Sequence, residues 1–258
     1  MGETVVLDRD QSVATITVNR PEKRNAMDQD TRDELREAFR SVATDESVRS
    51  IVLRGAGEGA FIAGGDLDAF QEFDLGDGLE YTSEYAQGLY NEIATVPKPT
   101  IAAVDGDALG GGTEIALACD LRLATPDARF GLPEINLGIF PAGGGTQRLV
   151  TEVGLGTAKE LIYTGDIIEA REAERIGLVN HVHESAEFEA EVRSLAAEMA
   201  DKPPIALRLA KESLNRAVDN EAGLDFERVA GALAFATEDR TEGIRAFLDG
   251  RDPDFEGK

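Results

Sequence analysis

The sequence predicts an α/β fold built around a largely parallel sheet. In the first half of the chain, short runs of β-branched and aliphatic residues are followed by glycine-rich turns and then by helical patterns. This repetition of strand, turn and helix is typical of β–α units. The length of 258 residues suffices for one large domain or for a core domain with an added piece, and 42% hydrophobic residues with 27 glycines fit a globular protein of this class.

Six strands are predicted, each a short run of β-branched or aliphatic residues bounded by turn residues. In chain order they span residues 4–7, 13–18, 50–54, 100–104, 121–124 and 128–130. The first two are expected to form an antiparallel pair. The later ones, separated by glycine turns and helical patterns, are expected to pair in parallel.

The first helix is predicted after an Asp-rich start, because Leu35, Phe39 and Val42 recur at helical spacing. Another helix, residues 114–118, follows the glycine-rich turn after the fourth strand. Between these two helices, residues 70–94 form a polar and aromatic stretch that we expect to be helical only in part.

Strand patterns nearly vanish after about Ala158, and helical patterns dominate from there on. We place a domain boundary near residue 195, between an α/β core of residues 1–195 and a helical C-terminal region of residues 196–258. No linker-like composition marks this boundary, so the two parts are expected to pack together. Three phenylalanines of the helical region are expected in helix packing or in a subunit contact: Phe226, Phe235 and Phe247.

The chain is strongly acidic, with 50 Asp and Glu against 26 Lys and Arg and a formal net charge of −24 at pH 7. The acidic residues are spread along helical stretches, and an evenly acidic surface stays hydrated in concentrated salt. We therefore interpret the composition as a halophilic adaptation to a high-salt cytoplasm. The alternative is an acidic surface for a basic partner. Nucleic-acid binding is disfavoured, because phosphate contacts need clustered Lys and Arg.

The other general features predict a cytoplasmic protein without membrane attachment. The N-terminal residues carry charges early and lack the apolar segment of a secretory signal, and the longest apolar runs are far shorter than a membrane span. The single cysteine, Cys119, is expected to be a buried, inert thiol. His181 and His183 form an H-x-H pair with no evident third ligand, so no metal site is expected.

The stretch GDALGGGTE, residues 106–114, looks like a phosphate-binding loop but fails as one. Its glycines and threonine fit G-x-x-x-x-G-K-[ST], yet Gly112 stands where the motif needs a lysine to meet the phosphates. The dinucleotide fingerprint also fails, because Ile115 stands in place of its third glycine. Backbone N–H groups at a strand-to-helix junction instead suit a developing negative charge, such as a thioester oxyanion. A tight turn with close packing is the simpler alternative.

Two glutamates lie in apolar, glycine-rich surroundings. Glu114 ends the first glycine loop, and Glu134 lies within the segment of residues 130–149. Such a pair suits general acid–base catalysis, because desolvation raises the pKa of a carboxyl group toward neutrality. The alternative is that each glutamate caps a helix or pairs with an arginine, such as Arg122 or Arg148.

Taken together, these segments resemble the enoyl-CoA hydratase/isomerase (crotonase) family. The matching stretches, in family order, include NRPEKRNAMD (19–28), AFIAGGDL (60–67), KPTIAAVDGDALGGGTEIALACDLRLAT (98–125), FGLPEINLGIFPAGGGTQRL (130–149) and TGDIIEAREAERIGLVNHV (164–182). Further similarity in the last 60 residues extends the match over nearly the whole chain. The resemblance implies a spiral of ββα units with a helical C-terminal trimerisation region, as a homotrimer or a dimer of trimers.

The resemblance also implies the site. The oxyanion hole would be the backbone N–H groups of Gly65 and Gly111, which would hold the thioester oxygen of an acyl-CoA. Glu114 falls on the glutamate that activates a water for attack at C3, and Glu134 on the one that handles the proton delivered to C2. Because both glutamates are present, the implied reaction is hydration of a trans-2-enoyl-CoA to a 3-hydroxyacyl-CoA, of the type found in fatty acid β-oxidation. Coenzyme A would be part of the substrate, and no separate cofactor is implied.

Acyl-CoA contacts follow from the same resemblance. Backbone groups along one segment and one further glycine would line the CoA path, with an arginine as a cationic contact: Ala63, Gly65, Asp66, Leu67, Asp68, Gly111 and Arg24. Lys258 is a second possible cationic contact. Asp68 stands where many relatives have a basic residue, so one phosphate contact of those relatives is expected to be missing here. Ala142 stands where many hydratases have glycine, which would reshape the water pocket.

Other functions fit parts of this pattern. On the same scaffold, an enoyl-CoA isomerase or an acyl-CoA hydrolase is the alternative, although such relatives often lack one of the two glutamates. Outside this class, the alternative is a non-catalytic acyl-CoA-binding or RNA-binding protein, and the net charge counts against RNA binding. The acyl pocket should be shaped by residues 70–90, where similarity to the family is weakest.

Overall fold

The computed structural model describes residues 4–202, 204–218, 232, 235–251 and 253. Within these residues, the strands are β1 Val5–Asp10, β2 Val13–Val18, β3 Ser50–Gly55, β4 Gly59–Ile62, β5 Thr100–Val104, β6 Gly106–Leu109, β7 Leu121–Ala124, β8 Arg129–Gly131, β9 Ile167–Glu169 and β10 His181–Val182. The helices are α1 Gln29–Thr44, α2 Leu67–Phe70, α3 Leu75–Glu80, α4 Gly88–Thr95, α5 Gly111–Ala118, α6 Gly145–Thr164, α7 Ala170–Arg175, α8 Ser185–Ala200, α9 Pro204–Val218 and α10 Glu238–Asp249. Short 3-10 turns span Pro21–Lys23 and Pro133–Leu137, and a π-helix spans Tyr81–Gln87.

Two sheets organise the fold. The larger has the order β1-β2-β3-β5-β7-β10, and the smaller has the order β4-β6-β8-β9. As predicted, β1 and β2 pair antiparallel, and the strands that follow in the larger sheet are parallel. The largely parallel α/β architecture predicted from the strand–turn–helix order is therefore confirmed.

Helices cover both faces of the larger sheet. Side chains of successive strand residues point to opposite faces, so each strand contributes apolar residues to both layers. Val52, Ile101 and Leu123 pack on one face against Phe188 and Val192 of α8. The alternate residues of the same strands join the main core with α1, α4 and α5. Each large apolar side chain buried in this way contributes roughly 1.5–3 kcal/mol relative to exposure. This accounts for the near-continuous apolar runs of β3, β5 and β7.

The smaller sheet was missed by the sequence analysis, apart from its strand β8. β4 and β6 have four residues each, and β9 has three. β6 lies inside GDALGGG, where we expected only a turn, and pairs in parallel with β4. A glycine replaces a side chain in both strands, so neither shows the apolar alternation on which the prediction depends.

Residues 70–94, expected to be only partly helical, are helical over most of their length, through α2, α3, the π-helix and α4. The Asp74 side chain accepts a hydrogen bond from the Asp77 N–H, and the Asp77 side chain accepts one from the Asp74 N–H. This capping box fixes the start of α3. The predicted domain boundary near residue 195 falls inside α8. The division into two domains stays a prediction.

Candidate active site

The glycine stretch of residues 110–112 begins helix α5 directly after strand β6. Gly110 has φ of 55°, a left-handed value that favours glycine. A side chain on Gly112 would lie 1.8 Å from the carbonyl oxygen of Ile62. Only glycine therefore allows α5 to pack this closely on the end of β4. The tight turn considered as the simpler alternative is therefore present. It also places the N–H group of Gly111 close to the turn at Gly64 and Gly65.

Close packing brings the two glycine turns together. A Cβ placed on Gly111 would lie 3.7 Å from Gly64 Cα and 3.8 Å from Gly65 N. Gly111 is the first residue of α5, so its N–H lacks a helical acceptor and adds to the positive end of the helix dipole. Gly65 and Gly111 are the two donors expected from the sequence, and the structure brings these residues together.

Glu114 lies on the first turn of α5 and is almost completely buried, with 5% exposure. Its Oε1 atom accepts hydrogen bonds from the backbone N–H groups of Gly143 at 2.8 Å and Gly145 at 2.9 Å. Burial raises the pKa of Glu114 above its ordinary value of 4.5, while the two N–H groups and the charge of Arg148 act in the opposite direction. Hydrogen bonds to one oxygen hold the carboxyl group in place, and burial raises its pKa.

Glu134 lies on the 3-10 turn Pro133–Leu137, which follows β8. A Cβ on Gly110 would lie 3.1 Å from Glu134 Oε1, so this carboxyl group is next to the start of α5. The turn is supported from behind by α10, since a side chain on Gly243 would lie 2.4 Å from the carbonyl carbon of Leu137. Both predicted glutamates therefore lie around the glycine turn.

Arg122 and Arg148, the arginines considered as partners of these glutamates, donate hydrogen bonds to other groups. Arg122 is buried, and its side chain donates to Glu152 and to the carbonyl oxygens of Ala116, Cys119 and Leu178. Arg148 donates to the carbonyl oxygen of Gly143 and to Asn91 Oδ1 at 2.5 Å. Arg148 thus holds the loop that holds Glu114.

The loop of residues 142–145 is also fixed from the π-helix. Gln87, a buried residue that sequence reasoning missed, donates from Nε2 to the carbonyl oxygen of Ala142 at 2.9 Å. A π-helix adds a residue to the turn, and such segments are frequent at functional sites. Gln87 and Asn91 thus connect one helical segment to the backbone that orients Glu114.

Gly65 faces an aromatic cluster, defined by Phe70, Phe73, Tyr81 and Phe235. The rings pack at centroid distances of 4.7 to 6.2 Å. A Cβ on Gly65 would lie 2.8 Å from Phe70 Cζ and 3.1 Å from the Tyr81 hydroxyl. The buried Arg32 donates to that hydroxyl at 2.6 Å. The cluster closes the space on one side of Gly65, in the stretch where the acyl pocket was expected.

The other predicted acyl-CoA contacts lie near this turn. Asp66 N–H donates to the carbonyl oxygen of Met27 at 3.3 Å, and Leu67 starts α2. Ala63 donates to the carbonyl oxygen of Arg24 at 3.1 Å. The Asp68 side chain and the whole of Lys258 lie outside the described residues, as does Phe226.

The guanidinium group of Arg24, the predicted cationic contact, pairs with the buried carboxylate of Asp107, which Arg129 binds through two nitrogens at 2.6 and 2.7 Å. Two half-exposed arginines thus share one buried carboxylate, and the group keeps a net positive charge. In a chain of net charge −24, this leaves a local cation near the glycine turns.

The cysteine, the two histidines and the phenylalanines of the helical region were assigned no catalytic role from the sequence. Cys119 is buried, as expected, and burial raises its pKa to about 12. The rings of His181 and His183 lie 6.0 Å apart. No cluster of three or more His, Cys, Asp or Glu suitable for a metal occurs in the part of the chain that the structure describes. Phe235 packs in the aromatic cluster, whereas Phe247 is 62% exposed.

The arrangement combines two glycine N–H groups, a buried carboxyl group of raised pKa and a second carboxyl group around one turn. N–H groups at a helix start stabilise an oxygen that gains negative charge, and the carboxyl groups can exchange protons with a bound substrate or water. These are the elements needed for proton transfer next to a carbonyl group.

Comparison with known proteins agrees with this chemistry. The sequence model described as enoyl-CoA hydratase/isomerase matches residues 8–258. The chain is 40% identical over 258 residues to a crotonyl-CoA hydratase of Syntrophomonas wolfei, covering 99% of both chains. It is 41% identical to a short-chain-enoyl-CoA hydratase of Clostridium acetobutylicum, covering 96% of this chain and 95% of the relative.

Solved structures extend the likeness to the fold. A carnitinyl-CoA hydratase from Mycobacterium avium superposes with a TM-score of 0.89 at 32% identity, covering 100% of both chains. An enoyl-CoA hydratase from Bacillus anthracis superposes with a TM-score of 0.80 at 36% identity, covering 99% of this chain and 100% of that one. The crotonase-like fold inferred from the sequence motifs is therefore confirmed.

Proposed function

The chain belongs to the enoyl-CoA hydratase/isomerase family, and from that premise we propose how its residues carry out the reaction. The protein is an enoyl-CoA hydratase, a hydro-lyase that reversibly adds water to a trans-2-enoyl-CoA to give a 3-hydroxyacyl-CoA. The observation that carries the assignment of roles is the position of Glu114. This buried carboxyl group is oriented by two backbone N–H groups next to the Gly111 turn.

The thioester oxygen binds between the N–H groups of Gly65 and Gly111. Addition at C3 moves an electron pair onto this oxygen, which gains enolate charge. Preorganised N–H donors stabilise that charge more than they stabilise the neutral carbonyl, so they lower the barrier. The short distance between the two glycine turns supports this assignment.

Glu114 removes a proton from the attacking water while the water oxygen bonds to C3. Glu134 starts the reaction protonated and delivers its proton to C2 as the enolate collapses. Transfer of the proton from Glu114 to Glu134 then restores the starting state of both carboxyl groups. The reverse reaction eliminates water by the same steps. The raised pKa of Glu114 supports its role as a base that accepts a proton near neutral pH.

The test is an assay of crotonyl-CoA hydration, followed by loss of the conjugated double bond, in wild type and in Glu114→Gln and Glu134→Gln. Each substitution is expected to lower kcat about 10²–10⁴-fold while the variant stays folded. Undiminished hydration in either folded variant would contradict the role of that residue. Double-bond migration or thioester hydrolysis without hydration would favour the isomerase or hydrolase alternative.

For substrate length, the aromatic cluster at Gly65 favours a short acyl chain. Phe70 lies 2.8 Å from a Cβ position on Gly65, so the cluster leaves little room beyond the first carbons of an acyl group bound there. In a panel of enoyl-CoA substrates of increasing length, kcat/KM is expected to be highest for the four-carbon substrate. Phe70→Ala is expected to move that preference to longer chains.

For CoA, the contacts would run along Ala63–Asp68, with Arg24 near a phosphate and coenzyme A as part of the substrate rather than a separate cofactor. The positive charge left by Arg24 and Arg129 on Asp107 supports this assignment. Arg24→Gln is expected to raise KM several-fold with kcat unchanged, because a phosphate contact is remote from the reacting carbons. A change in kcat alone would contradict it.

For assembly and setting, we propose a homotrimer, or a dimer of trimers, in a high-salt cytoplasm, acting in fatty acid metabolism. The acidic composition supports the setting, and light scattering after gel filtration in multimolar KCl tests the assembly. Among the described residues, no helix is both long and apolar enough to cross a membrane.

A further inference from the structure

The hydroxyl group of Tyr90 is a buried polar group with no hydrogen-bond partner among the described residues. Tyr90 lies on α4 with an exposed fraction of 0%. A buried hydroxyl without a partner costs about 1–3 kcal/mol of stability, whereas a phenylalanine would fill almost the same space without that cost. The hydroxyl therefore indicates a function that requires a hydrogen-bonding group at this place.

The hydroxyl faces the proposed oxyanion hole. A Cβ placed on Gly111 would lie 3.0 Å from the Tyr90 hydroxyl oxygen and 3.8 Å from Gly65 N. The Cβ position of Gly111 is thus close both to the Tyr90 hydroxyl and to Gly65 N, and Gly111 itself carries the other backbone donor. The same ring lies against the loop that holds Glu114, since a Cβ on Gly143 would lie 2.6 Å from Tyr90 Cε2.

The electrostatics keep this hydroxyl protonated. Burial raises the pKa of Tyr90 well above its ordinary value of 10.0, and the charges of Glu114 and Glu134 raise it further, against Arg32. The phenol is therefore a neutral hydrogen-bond donor over the whole range in which the enzyme would work.

We propose that the Tyr90 hydroxyl donates a third hydrogen bond to the thioester oxygen of the bound enoyl-CoA, beside the N–H groups of Gly65 and Gly111. The inference rests on the proposed function, in which that oxygen gains negative charge. A hydroxyl O–H adds a donor that the backbone cannot supply, and its bond strengthens as the enolate forms. This role explains why a buried hydroxyl is kept unpartnered in the free protein.

The variant Tyr90→Phe removes only the hydroxyl and keeps the ring against Gly143. Because the lost group has no partner in the fold, thermal stability is expected to stay equal or to rise. Removal of one oxyanion donor lowers kcat about 10²–10³-fold in other enzymes, and with two donors left we expect a loss of at least about tenfold. Tyr163→Phe is the matched control, since Tyr163 is 70% exposed on α6.

The hydrogen bond itself is measured with butyryl-CoA labelled with ¹³C at the thioester carbonyl, a saturated ligand that cannot be hydrated. Its carbonyl stretch is recorded by difference infrared spectroscopy when bound to full-length wild type, Tyr90→Phe and Tyr163→Phe. The stretch is expected at a higher wavenumber in Tyr90→Phe than in the other two, because the carbonyl has lost a donor. A merely structural role of Tyr90 would not shift this band.

Two results would overturn the proposal. One is an unchanged carbonyl band in Tyr90→Phe that still binds butyryl-CoA, even with a lower kcat, because the hydroxyl would then act elsewhere. The other is an unchanged kcat. Failure of the proposed function is recognised separately: wild type would then hydrate no enoyl-CoA, whereas the infrared comparison of the bound thioester would still report on Tyr90.

Discussion

The Oε1 atom of Glu114 lies 2.8 Å from the backbone nitrogen of Gly143 and accepts its hydrogen bond in a buried site. A glutamine at position 114 retains one carbonyl oxygen that can accept this bond and the bond from Gly145. Glu114→Gln should therefore fold with its loop in place while kcat for hydration falls about 10²–10⁴-fold. The stability of this variant as a function of pH gives a second, independent prediction.

The pKa of Glu114 is raised in the folded protein, so between pH 4.5 and that raised value the native state binds more protons than the unfolded state. The free energy of unfolding therefore falls as pH rises through this window. Glu114→Gln lacks this titration, so we expect its stability relative to wild type to increase with pH there and then level off. Urea denaturation at a series of pH values measures the difference. A relative stability independent of pH would contradict the raised pKa.

The pH dependence of activity should respond to Arg148, whose charge lowers the pKa of Glu114. In the proposed reaction Glu114 must be ionised to accept a proton from water, so the acidic limb of kcat/KM should lie above pH 4.5. In Arg148→Gln the limb is expected to move to higher pH, since the stabilising charge is gone. Arg148→Lys keeps the charge and should move it less. Superimposable profiles for wild type and Arg148→Gln would argue against Glu114 as the group that titrates.

Gly243 on α10 permits the close approach of the turn that carries Glu134. An added Cβ would lie 2.4 Å from the carbonyl carbon of Leu137, and this backbone cannot yield without moving the turn. Gly243→Ala is expected to lower kcat about 10²-fold, because a displacement near 1 Å has that effect on catalysis. Gly156→Ala on α6 meets no atom within 4 Å and should leave kcat unchanged. Steady-state kinetics of the two variants make the comparison.

Arg240 connects α10 to the segment before α3. Its buried guanidinium group donates to the carbonyl oxygens of Phe70 at 2.7 Å, Gln71 at 3.2 Å and Phe235 at 2.7 Å, and also to that of Phe73. Arg240→Met leaves several buried carbonyl groups without donors, so we expect a loss of at least about 3 kcal/mol in the free energy of unfolding. Arg245→Met, at an exposed position of the same helix, should change it by less than about 0.5 kcal/mol. Equal effects of the two variants would refute the role of Arg240.

Salt should stabilise the protein, given its net charge of −24. Raising KCl from 0.1 M to 1 M shortens the Debye length from about 10 Å to about 3 Å, which weakens repulsion between like charges. Exposed ion pairs such as Arg175–Glu172 are weakened too, but surface pairs of this kind contribute little to stability. Tm is therefore expected to rise with KCl, with sucrose at equal osmolality as the control. A falling Tm would contradict the halophilic interpretation.

Much of the larger sheet could be predicted because its strands are apolar runs. The bounds of β2, β5 and β7 agree with the sequence prediction residue for residue. β4 and β6 could not be found in this way, since each has four residues and holds a glycine where the pattern needs a side chain. The helix predicted at residue 114 begins at Gly111, because the glycines that lower helix propensity are also its first turn.

The residues of the candidate site also differ in whether the sequence alone could reveal them. Glu114, Glu134 and the two glycine turns belong to motifs with fixed spacing and could be named from the sequence. Tyr90 and Gln87 could not, because they lie in or just after a π-helix, whose wider turn shifts the spacing by which one face of a helix is recognised. Arg240 gives no local signal either, since its partners are 5 to 170 positions away.

The bonds from Arg240 to the carbonyls of Phe70 and Phe73 also have a consequence for the order of events on the ribosome. The donor follows Phe70 in the chain by 170 residues. At synthesis rates of about 5–20 residues per second, the segment that borders the proposed acyl pocket emerges roughly 10 to 30 seconds before Arg240, whose bonds hold it in place. The strands and the two glycine turns can form in this interval, but the proposed acyl pocket beside them is completed only after α10 has been translated. A nascent chain should therefore acquire its fold before it acquires its selectivity for substrate.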